Sequence, residues 1–119
     1  MAVAGNSTVA CDLETVVTRP PEIWSDMLGV ERFKLAEVIS REAHETLDVS
    51  ATRVWTATEC LKKAGAGIHS PIVFITATPN GWILLASGEL KIASGVVQRD
   101  GAREDLAIAV LTGGEDARV

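Results

Sequence analysis

The sequence predicts an α+β domain. Three observations carry that expectation: an alternating apolar segment near the N-terminus, a middle stretch with helical periodicity, and apolar runs after residue 71 cut by turn dipeptides. In residues 8–18, Val9, Cys11 and Leu13 fall at alternate positions with Asp12 and Glu14 between them, the period of a half-buried strand. Arg19-Pro20-Pro21 breaks that strand, and Pro21 suits the first position of a short helix, 21–28, which Gly29 ends. Glu22 and Asp26 lie toward the positive end of its dipole. Over 31–47, Leu35, Val38, Ile39, Ala43 and Leu47 recur at helical spacing, with Glu31, Lys34, Glu37, Arg41, Glu42 and Glu45 mostly on the other side. A second long helix spans 51–64, with Ser50 as N-cap, Val54, Ala57, Thr58 and Leu61 on one face, Lys62 and Lys63 at its negative end, and Gly65 closing it. Only Asp48, Val49 and Ser50 separate the two, so they form a tight helical hairpin or corner.

The C-terminal half reads as an antiparallel β-meander of strands 72–78, 82–86 and 89–98, with turn signals at Pro79-Asn80-Gly81, Ser87-Gly88 and Ser94-Gly95. Pro79 and Asn80 in a type I turn, followed by Gly81 at positive φ, give a three-residue hairpin loop with a bulge. The first two strands are apolar at nearly every position, which implies burial on both faces. The third alternates Leu90 and Ile92 with Glu89 and Lys91 and is expected at an edge. Residues 102–111 fit a short helix or a last strand, since Leu106, Ile108 and Val110 alternate while Ala and Leu favour helix. The ends, 1–7 and 113–119, are expected to be flexible.

At 119 residues the chain forms one domain around one core, and 47% hydrophobic against 23% charged residues is the balance of a folded protein. A net charge of −5 disfavours broad binding to nucleic acid or an anionic membrane, which needs Lys and Arg against phosphate. No run reaches 18 apolar residues, and the first ten residues lack the basic and apolar regions of a signal peptide, so a cytoplasmic protein is expected. Cys11 and Cys60 show no pairing motif and read as reduced, packed thiols. Tyr is absent, and Phe33, Phe74, Trp24, Trp55 and Trp82 are the only aromatics, so each carries much of the available bulk.

Residues 42–54, with Leu61 and Gly65 behind them, resemble a DNA-binding helix-turn-helix, and 72–86 would be the wing hairpin of a winged variant. That resemblance implies a recognition helix 50–64 whose Ser50, Ala51, Thr52, Arg53 and Thr56 face the major groove, Arg53 making the bidentate contact to guanine. No Lys or Arg lies in 72–85, which ranks DNA second among partners. Glu37, Glu42, Glu45 and Asp48 line up as an acidic stripe, the solvated side of an amphipathic helix; paired acid–base work needs a concave, partly dry site instead. His44, His69, Cys11 and Cys60 have no short metal-ligand spacing, Gly65-Ala66-Gly67 is no phosphate loop, and no cofactor motif or nucleophile elbow is legible.

Surplus apolar strand surface without a catalytic constellation points to a non-enzymatic binding or adaptor protein. It would act through a protein–protein surface as a homodimer, with Trp82, Phe74 and Trp55 at the interface. The winged helix-turn-helix regulator is the second expectation. The third is a small ligand-binding domain or enzyme with a pocket between helices and sheet and His44 or His69 as base.

Overall fold

The structure, a computed structural model, describes residues 8–66, 70–98 and 105–113. Its elements run β1 (Thr8–Thr15), α1 (Pro21–Leu28), α2 (Val30–Ala43), α3 (Leu47–Lys63), β2 (Val73–Ala77), β3 (Ile83–Ser87), β4 (Leu90–Val97) and β5 (Leu106–Thr112). The strands form one antiparallel sheet in the order β1-β5-β4-β3-β2, and the helices pack on one of its faces. This is the α+β class that the sequence predicts: N-terminal strand, short helix, helical hairpin, C-terminal meander. Of the ends expected to be flexible, 1–7 and 113–119, all but Gly113 lie outside the described residues.

The Pro79 hairpin forms as its residues require. The Gly81 amide donates to the Thr78 carbonyl at 3.2 Å, Gly81 adopts φ 92°, and the Thr78 amide donates to the Trp82 carbonyl at 2.8 Å, a type I turn followed by a bulge. Residues 106–112 resolve to a strand, because pairing with both β1 and β4 outweighs the helix preference of Ala and Leu. This last strand moves β4 from the expected edge into the interior, between β5 and β3. Ser94-Gly95 is accordingly no turn. It lies inside β4, where Gly95 makes room for the Trp82 ring: a Cβ there would stand 2.9 Å from Trp82 Cη2 and Cζ3. Gly95→Ala is therefore expected to cost about 1–3 kcal/mol in urea unfolding, and the cost should largely vanish in a Trp82→Ala background.

The helical boundaries differ from the expected ones. His44 takes the left-handed conformation (φ 56°) and ends α2 at Ala43, while Thr46 Oγ1 accepts from the Val49 amide at 3.2 Å and starts α3. The turn is thus His44-Glu45-Thr46, not Asp48-Val49-Ser50, and Ser50 lies within the helix instead of capping it. The reset also dissolves the acidic stripe. Glu42 remains exposed on α2, but Glu45 falls in the turn and Asp48 in the first turn of α3. There Asp48 Oδ1 accepts from Trp24 Nε1 at 2.8 Å and from the Arg19 amide at 3.0 Å, tying the start of α1 to α3, with the Arg19 guanidinium 5.3 Å over the Trp24 ring.

α3 is the central helix, packed against β1, β4, β5, α1 and α2. Its Ala51, Val54, Ala57, Cys60 and Leu61 join Trp24, Ile39, Ile83, Leu85, Ile92, Ala109 and Leu111 in the core. Small residues let the helix sit close to the sheet. The buried Thr52 and Thr56 hydroxyls donate to the carbonyls of Asp48 and Thr52 one turn earlier, at 2.7 and 2.6 Å, so neither is left without a partner.

Candidate interaction surface

The residues named for DNA contact lie inside the fold. Ser50, Thr52, Arg53 and Thr56 are at most 4% exposed, and Ala51 is fully buried. Helix α3 turns this side to the sheet, so none of these side chains is presented to a groove. Arg53 is held on every side. Its Nε and Nη2 donate to Glu45 Oε2 and Oε1 at 2.9 and 3.0 Å, its Nη1 to the Ser94 carbonyl and hydroxyl at 2.8 and 3.3 Å, and its Nη2 also to the Gly81 carbonyl at 3.2 Å. Ser50 Oγ completes the cluster with a 2.6 Å bond to Glu45 Oε2. One guanidinium thereby joins the α2–α3 turn, β4 and the Pro79 hairpin, and the bidentate fork is spent within the molecule.

The three residues named for a protein interface occupy three different places. Phe74 points to the helical side and packs on the core; Trp55, half-buried on α3, lines a groove with Arg32 and Pro71; Trp82 lies on the opposite face of the sheet, its ring over Gly95. The groove, about 870 Å³, runs between the α1–α2 corner, α3 and the approach to β2. Arg32 closes its floor by donating to Thr58 Oγ1 at 3.1 Å and the Ser70 carbonyl at 2.8 Å, and burial pulls its pKa down. His44 is exposed and stands apart from this groove, and His69 falls outside the described residues. Among the described residues no three His, Cys, Asp or Glu side chains gather in a way that could hold a metal ion, and no helix is long and apolar enough to cross a membrane.

The strand register defines a surface that the sequence only hinted at. Because side chains alternate across the pleat, the residues partnering Ile92, Ser94 and Leu85 face the helices, and their neighbours face away. Cross-strand rows on the far face read Thr15, Leu106 and Val97; then Leu13, Ile108 and Gly95 under Trp82; then Cys11, Val110, Ala93, Leu84 and Thr76; then Thr112, Lys91, Ala86 and Val73. Lys91 is the one charged residue in these rows. Leu13, Val73 and Val97 are 56%, 52% and 44% exposed, and Ile75, at the β2 bulge, is 52% exposed. Nothing among the described residues covers this face. The edges are treated differently: β1 turns Asp12 and Glu14 inward, and β2 is five residues long with Pro71 just before it and a bulge within it, devices that discourage edge-to-edge pairing.

The two cysteines separate by face. Cys60 is fully buried, its thiol donating to the Ala109 carbonyl at 3.8 Å, and burial pushes its pKa up, away from the reactive thiolate. Cys11 is not packed as expected but exposed on the uncovered face, because its position in β1 has the opposite parity to Asp12. Cys11 should therefore be alkylated in the native protein while Cys60 reacts only after unfolding, a difference that mass spectrometry after maleimide treatment reads directly.

No protein-family model, curated protein or solved structure matches this chain.

Proposed function

We propose that this protein is a non-enzymatic interaction module, and that its working surface is the uncovered sheet face, occupied by a second copy of the same chain. The uncovered apolar face carries this reading. Exposed contiguous apolar patches of this kind are costly in a lone domain and mark contact surfaces. Five strands about 4.8 Å apart and about 20 Å long give a footprint near 24 by 20 Å, so two faces bury roughly 1,000 Å² or more, about where specific interfaces begin.

A second copy fits this face for three reasons. With one charge, Lys91, in the outermost row, the surface offers a partner almost no charge to read, and an apolar face is its own complement about a two-fold axis. Twisted sheets of the same hand stack face to face with their strands about 30° apart. The row position of Lys91 leaves its ammonium at the rim, where it stays in water. Trp82 is the aromatic anchor of this contact. Phe74 and Trp55 support it only through the core. As a free thiol on an acidic, adaptor-type dimer, Cys11 fits a cytoplasmic setting.

Sedimentation equilibrium over a hundredfold range of concentration tests the proposal, together with the rate of Cys11 alkylation on the same samples. The expected result is a mass moving from one chain to two and a Cys11 rate falling in step. A single-chain mass throughout, with constant Cys11 reactivity, would remove the dimer.

A further inference from the structure

Pairing between β3 and β4 runs from Ser87 with Leu90 to Ile83 with Ser94, where the ladder stops. One further step of the same register sets Trp82 opposite Gly95, and the Trp82 ring lies over the Gly95 backbone on the uncovered face. The ring covers a stretch of strand that has no side chain of its own. This stacked pair stands one residue beyond the last rung, so other groups hold its backbone.

Thr78 is one of them. Its amide donates to the Trp82 carbonyl at 2.8 Å, and its Oγ1 accepts from the Trp82 amide at 3.1 Å. Arg53 is the other. The Gly81 carbonyl, which accepts from Arg53 Nη2 at 3.2 Å, belongs to the planar peptide unit that leads into Trp82. The Ser94 carbonyl, which accepts from Nη1 at 2.8 Å, belongs to the unit that leads into Gly95. One guanidinium thus spans both strands where the ladder ends and grips the two peptide units that carry the stacked residues. Glu45 fixes the guanidinium itself, through Nε and Nη2 at 2.9 and 3.0 Å. The Arg53 side chain is buried on the helical side of the sheet, while the ring lies on the other.

We propose that Arg53 is the positioning residue of Trp82: from the helical side it sets the peptide units before Trp82 and Gly95, and so fixes the ring over Gly95 on the uncovered face. An aromatic anchor held in its bound position before contact loses less freedom on association, so Arg53 strengthens self-association without touching the second copy. That consequence rests on the dimer proposed above; the placement of the ring does not. Lysine cannot replace Arg53 here, because a single ammonium on a flexible stem lacks the planar fork that reaches Glu45 and both carbonyls together.

The Gly95 α-proton shifts test the role, since they sense the ring current of Trp82, and Trp82→Ala supplies their values without it. In Arg53→Lys, which keeps a cation beside Glu45, these shifts should move toward the Trp82→Ala values, and the dimer dissociation constant from sedimentation should rise about tenfold. Glu45→Gln, which loosens the guanidinium without removing it, should move the shifts the same way by less. Leu28→Ala, in α1, which packs on α2 and α3, should lower the Tm and leave the Gly95 shifts and the dissociation constant unchanged. Gly95 shifts that keep their wild-type values in Arg53→Lys and Glu45→Gln, or that move equally in Leu28→Ala, would overturn the positioning role. Shifts that move in a dimer of unchanged affinity would overturn its link to self-association. A wild type that sediments as one chain would remove the dimer alone, and the Gly95 shifts would still decide for or against Arg53.

Discussion

Replacing Val110 by Asp should turn a two-chain particle into a folded single chain. Val110 sits in the third row of the uncovered face, flanked by Cys11 and Ala93, so a two-fold contact brings two new carboxylates into an apolar layer whose one charged side chain, Lys91, stands a row away at the rim. An unpaired buried charge costs several kcal/mol, and two of them should weaken dimerisation at least about a hundredfold. Val97→Asp, at a position already 44% exposed, should act in the same direction with less risk to the fold. Glu42→Lys, exposed on α2 across the molecule, should leave the mass unchanged. Sedimentation equilibrium reads all three, and circular dichroism checks that the monomers keep their structure. A Val110→Asp protein that still sediments as two chains would place the contact elsewhere.

Arg53→Ala should be the most destabilising single substitution in α3, at about 3–5 kcal/mol in urea unfolding. The guanidinium is 4% exposed and its Glu45 partner 15%, so truncation leaves a nearly buried carboxylate without its counter-ion and frees the carbonyls of Ser94 and Gly81. Glu45→Gln should cost less, because the amide oxygen still accepts from the guanidinium. In a double-mutant cycle, Glu45→Ala added to Arg53→Ala should cost far less than it does alone, since the two act as one unit. Salt should change these values little, as buried pairs are weakly screened. If Arg53→Ala instead left stability intact, its internal bonding would be incidental and the residue would again be open to a role at the surface.

Much of the architecture was legible in the chain because its signals are local. Pro79-Asn80-Gly81 specifies its hairpin from three adjacent residues, Pro21 and Gly29 bracket α1, and the alternation of residues 9–14 gives β1. The failures share a cause. Ser94-Gly95 has the composition of a turn, yet Gly95 is fixed by the Trp82 ring that crosses it from the neighbouring strand. The apolar stretch ending at Leu47 reads as one helix, yet the left-handed His44 and the Thr46 cap divide it. Residues 106–112 balance between helix and strand until β1 and β4 flank them.

The candidate site divides in the same way. The sequence determined the fold class, the hairpin and the excess of apolar strand surface, all properties of neighbours in the chain and their periodicity. Only the tertiary structure decided which surface stays uncovered, because the inward or outward sense of a strand depends on its register with strands up to about a hundred residues away. It also decided the fate of Arg53. Periodicity places that residue on a helix, but whether its guanidinium meets solvent or Glu45, Ser94 and Gly81 depends on how α3 is rotated against the sheet, and no local pattern encodes that rotation.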